Sequence, residues 1–419
     1  MSDALPHCVV VGAGHAAAQL CASLVQGKWP GRITVVGDEP HAPYHRPPLS
    51  KTQLTPGQAG EASGPQMIRP AAFYDDHGVT LRTGARAAAI DRDAKRVELD
   101  GGEALAYDTL VLATGSTHRR PPVKGIDLPG VYTLQTAAHA EAVRGRLAGA
   151  RQVVVIGAGF IGLEVAASLR KLGVGVTVLE FADRPLARVT SAPVSAFFAA
   201  LHRGHGVDLR TNTAAARITP DGDGLSVETS AGDTLPADFV VVGAGAAAND
   251  QLAGAAGLET GNGIHVDEHN RTTDPSIYAV GDCCNQFHPL YETRLRLESV
   301  QNATDQAKTA AAAIAGSPRP HVALPWFWSD QYDVKLQIAG VSTGYDDCVI
   351  RGTPEPGHAF SAWYLKDGRL LAVDAVNDAR AYAVGSKIIP TGGCPDAKLI
   401  ADPATAPKDL IASARQAAD

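Results

Sequence analysis

Two glycine-rich turns, Gly12-Ala13-Gly14 and Gly157-Ala158-Gly159, each lie between an apolar strand pattern and an Ala/Leu-rich helix pattern, and beyond about Pro325 the chain changes to short alternating segments. These observations predict an α/β fold with two Rossmann-like dinucleotide-binding domains plus a C-terminal α+β domain with an antiparallel sheet. At roughly 150 residues per domain, 419 residues leave room for about three.

The elements follow in order. Pro6 to Val11 reads as a short apolar strand, the stretch after the first turn as a helix to about Gln26, and Ile33 to Val36 as the next strand. Gln152 to Ile156, Phe160 to Leu172 and Val174 to Glu180 repeat the plan. Such alternation implies parallel sheets with helices on both faces. KRVELDGGEALAYDTLVLATGS and GLSVETSAGDTLPADFVVVGAG read as strands around Gly- or Asp-containing turns. In the tail, AWYLKDGRLLAVDAVN reads as a hairpin turning at Asp367-Gly368, and a short helix closes the chain near Leu410. Pro-containing stretches at Arg119–Pro122 and Ser317–Pro320 are the expected seams.

Composition narrows the function. Hydrophobic residues make up 45% and charged residues 19%, and the net charge is −7. No long basic block is present, so nucleic acid is not the expected partner. No apolar run reaches the ~18 residues of a membrane span, and with the first strand so near Met1 no leader is expected. Six scattered cysteines form no C-x-x-C pair, which argues against a disulfide scaffold, a structural zinc or a thioredoxin-like dithiol. A reducing cytoplasmic setting is expected, with no metal site.

In the first motif Gly12 permits the tight turn, Gly14 lets backbone approach a pyrophosphate, and Ala17 lets helix and strand pack closely. The helix N-terminus presents its free N–H groups to phosphate. An acid normally ends the following strand to hold a ribose; Gly37 stands in that place, with Asp38 and Glu39 directly after it. In the second motif, Gly157, Gly159 and Gly162 are followed about twenty residues on by Glu180. A carboxylate there accepts from a ribose and repels a 2′-phosphate, favouring NAD over NADP, with Arg184 close by as a contrary signal.

With both turns present, the chain resembles the FAD/NAD-linked reductases of the glutathione reductase type. Thr109–Gly115 is similar to that family's strand-then-ATG segment, and Ser276–Asp282 to its GD segment. The resemblance implies a discontinuous FAD-binding domain at 1–114 and 244–320, an NAD-binding domain at 115–243, and a C-terminal interface domain at 321–419. The family's redox-active cysteine pair is missing: Tyr44 to Lys51 reads YHRPPLSK. PPLSK, with FIGLEVAASL, ARVTSAPVSAFF, LESVQNA, PWFWSDQY and LAVDAVN, resembles the bacterial ferredoxin reductases that serve oxygenases.

That resemblance implies a ferredoxin–NAD(+) reductase with tightly bound FAD and NADH as hydride donor. Its expected acceptor is a [2Fe–2S] ferredoxin feeding a haem or Rieske-type oxygenase, and the chain is expected to be a monomer or weak dimer. Lys51 becomes the cation beside the flavin and Glu164 its acidic partner, with Ser50 capping a helix that begins there. Ala16, Asp38, Glu39, Ala87, Thr114, Gly115, Asp282, Glu298 and Val300 become FAD contacts. Gln135 stands where relatives often carry Arg. Phe160 reads either as a ring shielding the flavin or as helix–sheet packing, and Trp326, Phe327 and Trp328 as interdomain core or, for Trp328, as a flavin neighbour. Cys283 and Cys284 read as small packing residues. Arg294, Arg296, Lys308 and Lys335 are candidates for a basic docking face. An NADH oxidase or peroxidase, and an NADH-sensing flavoprotein like the apoptosis-inducing factors, remain as alternatives.

Overall fold

A computed structural model describes residues 5–55 and 64–416; the outermost residues of the expected first and last domains, 1–4 and 417–419, lie outside it. The chain forms two compact units, one of Met1–His45, Pro65–Thr117 and Ala246–Pro325, the other of Arg46–Gly64, His118–Gly245 and Trp326–Asp419.

The first unit is built on a five-stranded parallel sheet. From one edge its strands are Ile277–Ala279, Thr109–Leu112, His7–Val11, Arg32–Gly37 and Val79–Thr83. His7–Val11 is buried throughout, because alternate residues of a strand enter opposite layers and here both layers are core. Cys8 and Val10 pack in the layer of helices His15–Gln26 and Val300–Ile314, and Val9 and Val11 in the other. The second layer departs from the expectation of helices on both faces. It holds Ile90, Val97 and Leu99 of a three-stranded antiparallel sheet and Ala253 of the short helix Gln251–Ala255. The link from Val79–Thr83 to Thr109–Leu112 is made by that hairpin sequence, whose alternating pattern cannot form a helix.

The second unit repeats the design. Its parallel sheet runs Asp208–Arg210, Gly175–Leu179, Gln152–Ile156, Phe239–Val242 and Val131–Thr133. Val154, Ile156, Val240 and Val242 pack with Ile218, Leu225 and Val227 of a second small antiparallel sheet. The same unit contains a five-stranded antiparallel sheet in the order Trp326–Gln331, Val334–Gly340, Arg369–Val376, Phe360–Lys366 and Asp347–Gly352. Its hairpin closes with Lys366 opposite Arg369, and Asp367 and Gly368 both have positive φ (+49° and +74°), as a type I′ turn requires. Helix Pro407–Gln416 closes the described chain. Among the described residues no helix is long and apolar enough to cross a membrane.

Candidate functional site

Each parallel sheet carries one glycine-rich turn at its carboxyl edge, where open α/β sheets bind ligands. In the first unit Gly12 has φ +111°, and an added Cβ would lie 2.0 Å from the Ala113 carbonyl oxygen. Glycine is therefore obligatory where the turn crosses the Thr109–Leu112 strand end. At Gly14 an added Cβ would meet nothing within 4 Å, so the backbone face there is open. Gly14 is also the N-cap of helix His15–Gln26, with no side chain capping it. An uncapped helix end beside an open glycine fits a pyrophosphate. Ala16 and Ala17 are buried behind it, filling the helix–strand contact.

The other first-unit candidates surround this edge. Glu39 accepts a hydrogen bond from the Tyr44 hydroxyl (2.6 Å), while Asp38 is exposed. Thr114 and Gly115 form the strand's exit, where Asn249 clamps the chain. The Thr114 hydroxyl donates to the Asn249 carbonyl (2.6 Å), the Asn249 amide donates to the Thr114 carbonyl (2.8 Å), and the Thr117 hydroxyl donates to Asn249 Oδ1 (2.6 Å). Asp282 lies in the short 3₁₀ turn Gly281–Cys283 and accepts from the Ser116 hydroxyl (3.0 Å). Gln306, from helix Val300–Ile314, accepts from the Gly281 N–H (2.8 Å). Glu298 pairs with Arg296 (2.6 Å), one residue before the N-cap Ser299 and two before Val300. Ala87 opens the small sheet strand Ala87–Asp91 and is half-buried. Sequence reasoning missed Asn249 and Gln306, since neither lies in a motif.

In the second unit Gly157 has φ +102°, and an added Cβ at Gly162 would lie 2.0 Å from the Gly157 carbonyl oxygen, so helix and turn meet at the smallest possible spacing. Gly159 is the N-cap of helix Phe160–Lys171, again with no capping side chain. Glu180 follows the strand Gly175–Leu179, and its two oxygens accept from the Ala158 N–H (2.7 Å) and the Ala182 N–H (2.9 Å). The carboxylate is thus fixed against the phosphate turn while keeping lone pairs for further donors. Arg184, the contrary signal, donates to the carbonyls of Thr190 and Ala187 (both 2.9 Å) and to the Ser195 hydroxyl (2.5 Å).

The same unit holds a buried polar cluster. Lys51 Nζ lies 2.6 Å from Glu164 Oε2. The Ser50 hydroxyl donates to the same oxygen (2.5 Å) and the Ser329 hydroxyl to Oε1 (2.7 Å). Glu164 is only 4% exposed. One helical turn further on, Ser168 donates to the Ser50 carbonyl (2.7 Å), so one face of the helix grips the Pro47–Ser50 segment twice. The expectation that Ser50 starts a helix is corrected: Pro47–Ser50 is a 3₁₀ turn that ends at Ser50, whose hydroxyl is committed to Glu164. A serine caps a helix only when its oxygen accepts from the first turn's N–H groups.

Phe160 packs on Phe327 (4.7 Å between ring centroids), and Trp326 lies 5.4 Å from Trp328. Gln135 accepts from the Arg46 guanidinium through its carbonyl (2.9 Å). Of the proposed basic face, Arg296 and Lys308 are committed to ion pairs with Glu298 and Asp305. All six cysteines are free, and burial raises the thiol pKa of Cys283 and Cys284.

The comparisons bear on the whole of this arrangement. Residues 6–307 match the family described as pyridine nucleotide-disulphide oxidoreductase. The chain belongs to that family. Residues 326–411 of this oxidoreductase match the domain described as reductase C-terminal. It is 46% identical over 384 residues to rhodocoxin reductase of Rhodococcus erythropolis, covering 91% of this chain and 89% of that protein. It is 41% identical over 415 residues to putidaredoxin reductase CamA of Pseudomonas putida, covering 97% of each. Among solved structures it is similar to the covalent putidaredoxin reductase–putidaredoxin complex, at 40% identity and TM-score 0.93, over 99% of this chain and 100% of that one. Pyridine nucleotide-disulphide oxidoreductases of this kind use FAD and NAD(P)H, and the two open, uncapped helix N-termini fit two dinucleotides.

Proposed function

We propose that this chain is an NADH-dependent ferredoxin reductase that takes hydride from NADH onto FAD and passes single electrons to a [2Fe–2S] ferredoxin. The observation that carries the reading is the cluster at Lys51. Where disulphide-reducing relatives carry a cysteine pair, this chain has Pro-Pro-Leu-Ser-Lys, with Lys51 Nζ 2.6 Å from a buried carboxylate. That is a fixed charge and not a thiol relay, so electrons must leave by another route.

FAD supplies the conversion of a two-electron hydride into single electrons. The protein supplies position and charge. The Gly12–Gly14 turn, Ala16, Ala17, Asp38, Glu39, Ala87, Thr114, Gly115, Asp282, Glu298 and Val300 hold FAD in this reading, with Trp328 as a further contact. Gly157, Gly159, Phe160 and Gly162 receive the NADH pyrophosphate and nicotinamide arm. Glu180 accepts from the adenosine ribose and repels a 2′-phosphate, and three of the five Arg184 N–H groups already donate to Thr190, Ala187 and Ser195. Glu164 holds Lys51, whose cation stabilises negative charge gathering on the flavin. The free cysteines suit a reducing cytoplasm, and the protein acts as a monomer or weak dimer that meets ferredoxin through a small, quickly exchanging interface.

Anaerobic stopped-flow mixing tests the reading. Flavin absorbance bleaches rapidly with NADH and far less with NADPH, then recovers rapidly only when a [2Fe–2S] ferredoxin is added. Equally rapid recovery in air alone would make the protein an oxidase. Slow bleaching into a long-lived coloured complex would make it an NADH sensor. Lys51→Ala slows bleaching with FAD still bound; an unchanged rate removes Lys51 from the mechanism.

A further inference from the structure

We infer that Ser329, Gln331 and His202 are positioning residues, forming a one-way hydrogen-bond chain that ends on Glu164 and holds its carboxylate toward Lys51. This rests on the roles proposed above for Lys51 and Glu164, and it extends them to residues in no nucleotide motif.

Ser329 and Gln331 lie two apart on strand Trp326–Gln331 and so point to the same face. Both are 1% exposed, and His202, on helix Ala192–Gly204, is completely buried. Ser329 donates to Glu164 Oε1 (2.7 Å), and Gln331 Nε2 donates to Ser329 Oγ (3.1 Å). Gln331 Oε1 lies 2.8 Å from His202 Nε2, and the Tyr332 hydroxyl 3.5 Å from His202 Nδ1.

These contacts leave little freedom in the placement of hydrogens. The Gln331 amide has given its N–H to Ser329, so its oxygen must accept, and His202 carries its proton on Nε2. Nδ1 is then the lone-pair side, facing the Tyr332 hydroxyl. Burial lowers the His202 pKa to about 4, so the ring is neutral and has the one donor and one acceptor that this order requires. Every donor from Tyr332 inward points toward Glu164. Aligned hydrogen bonds polarise one another, and here the alignment ends on an anion. The outer end reaches the surface. Tyr332 stacks on His205 at 3.6 Å and lines a cleft of about 440 Å³ with Arg170, Lys171 and Asp333.

The chain is not a proton wire. Gln331 Nε2 donates but has no lone pair to accept with, so a proton arriving at Ser329 cannot hop outward through the amide. What the series can do is fix geometry and field at Glu164, and through it the cation at Lys51.

The test uses full-length, FAD-loaded protein carrying Ser329→Ala, Ser329→Thr, Gln331→Met or Lys51→Ala. Melting temperature and FAD content are measured for each, with the saturating rate of anaerobic flavin reduction and the Kd for NADH. Ring-nitrogen NMR of ¹⁵N-histidine-labelled protein reports the His202 tautomer independently of turnover. Ser329→Ala lowers the saturating rate about tenfold, equivalent to ~1.4 kcal/mol, with NADH affinity unchanged. Ser329→Thr restores most of the rate, Gln331→Met gives a smaller loss, and wild-type spectra show the proton on Nε2 and its redistribution in Gln331→Met. If Ser329→Ala reduces flavin at the wild-type rate while Lys51→Ala is slow, the positioning chain is overturned and the Lys51 reading stands. If Lys51→Ala is also unaffected, both fall. A wild-type ring protonated on Nδ1 overturns the chain by itself. Should Ser329→Ala lose FAD, the tautomer and Gln331→Met decide.

Discussion

Removing the Glu164 side chain separates the packing role of the cluster from its charge. In Glu164→Ala, Lys51 is about a quarter exposed and can turn to water, but Ser50 and Ser329 are 1% exposed and cannot. A buried hydroxyl left without its acceptor costs about 1–3 kcal/mol. Ser329 keeps its bond from Gln331, and Ser50 has a weak alternative in the Pro47 carbonyl at 3.4 Å, so the lower half of that range applies to each. The sum is roughly 2–4 kcal/mol, toward the lower side of the ~3–5 expected for breaking a fully buried ion pair, because the stranded cation is accessible. At roughly 2–4 °C per kcal/mol, the melting temperature falls by about 4–16 °C. Glu164→Gln keeps one acceptor and offers an N–H to the other hydroxyl, so it costs under ~1 kcal/mol but removes the charge facing Lys51. Calorimetry should therefore rank Ala well below Gln, while stopped-flow reduction by NADH should find both slow. Two variants melting within a degree or two of wild type, or Gln reduced as fast as wild type, would refute the reasoning.

The other tests address cofactor choice, turn packing and pH. Glu180→Arg removes the carboxylate that accepts from Ala158 and Ala182 and should narrow the preference for NADH over NADPH; an unchanged ratio of the two kcat/KM values would dismiss Glu180 as the determinant. Gly162→Ala places a methyl 2.0 Å from the Gly157 carbonyl and should weaken NADH binding at least tenfold in fluorescence titration while FAD stays bound, whereas wild-type affinity would show that the turn relaxes freely. Asp374 is completely buried, and burial pushes its carboxyl up to about 7 even though the Tyr364 hydroxyl donates to it. The folded chain then holds a proton that the unfolded chain releases near pH 4, so this contribution is full below about pH 4 and is lost as pH rises to about 7. Asp374→Asn keeps an acceptor for Tyr364 and should flatten the stability profile in that window; urea midpoints that fall in parallel for both proteins would place the pH dependence elsewhere.

Local spacing made the phosphate turns legible. The G-x-G-x-x-G/A spacing lies within one strand–turn–helix window, and so does the contact of Gly162 with Gly157, whereas the carbonyls that crowd Gly12 and Gly157 come from Ala113 and Gly243 on other strands. The hairpin at Asp367-Gly368 was legible for the same reason, since two consecutive positive φ values select for those residues. One face of the first sheet carries only the short helix Gln251–Ala255 beside a three-stranded antiparallel sheet, because an alternating crossover covers a face as well as a long helix can. Ser50 was misread because a serine before a run of polar residues looks like a cap until its hydroxyl is seen donating elsewhere.

The sequence by itself determined two dinucleotide turns, the acid at Glu180 and the absence of a cysteine pair between Tyr44 and Lys51. Only the tertiary structure decided what surrounds Glu164. A carboxylate in the apolar helix FIGLEVAASL must find donors once buried, but nothing in that helix says which. They come from Ser50, 114 residues away, and Ser329, 165 residues away. Burial creates the demand for a partner, and the fold alone determines which residues are close enough to meet it.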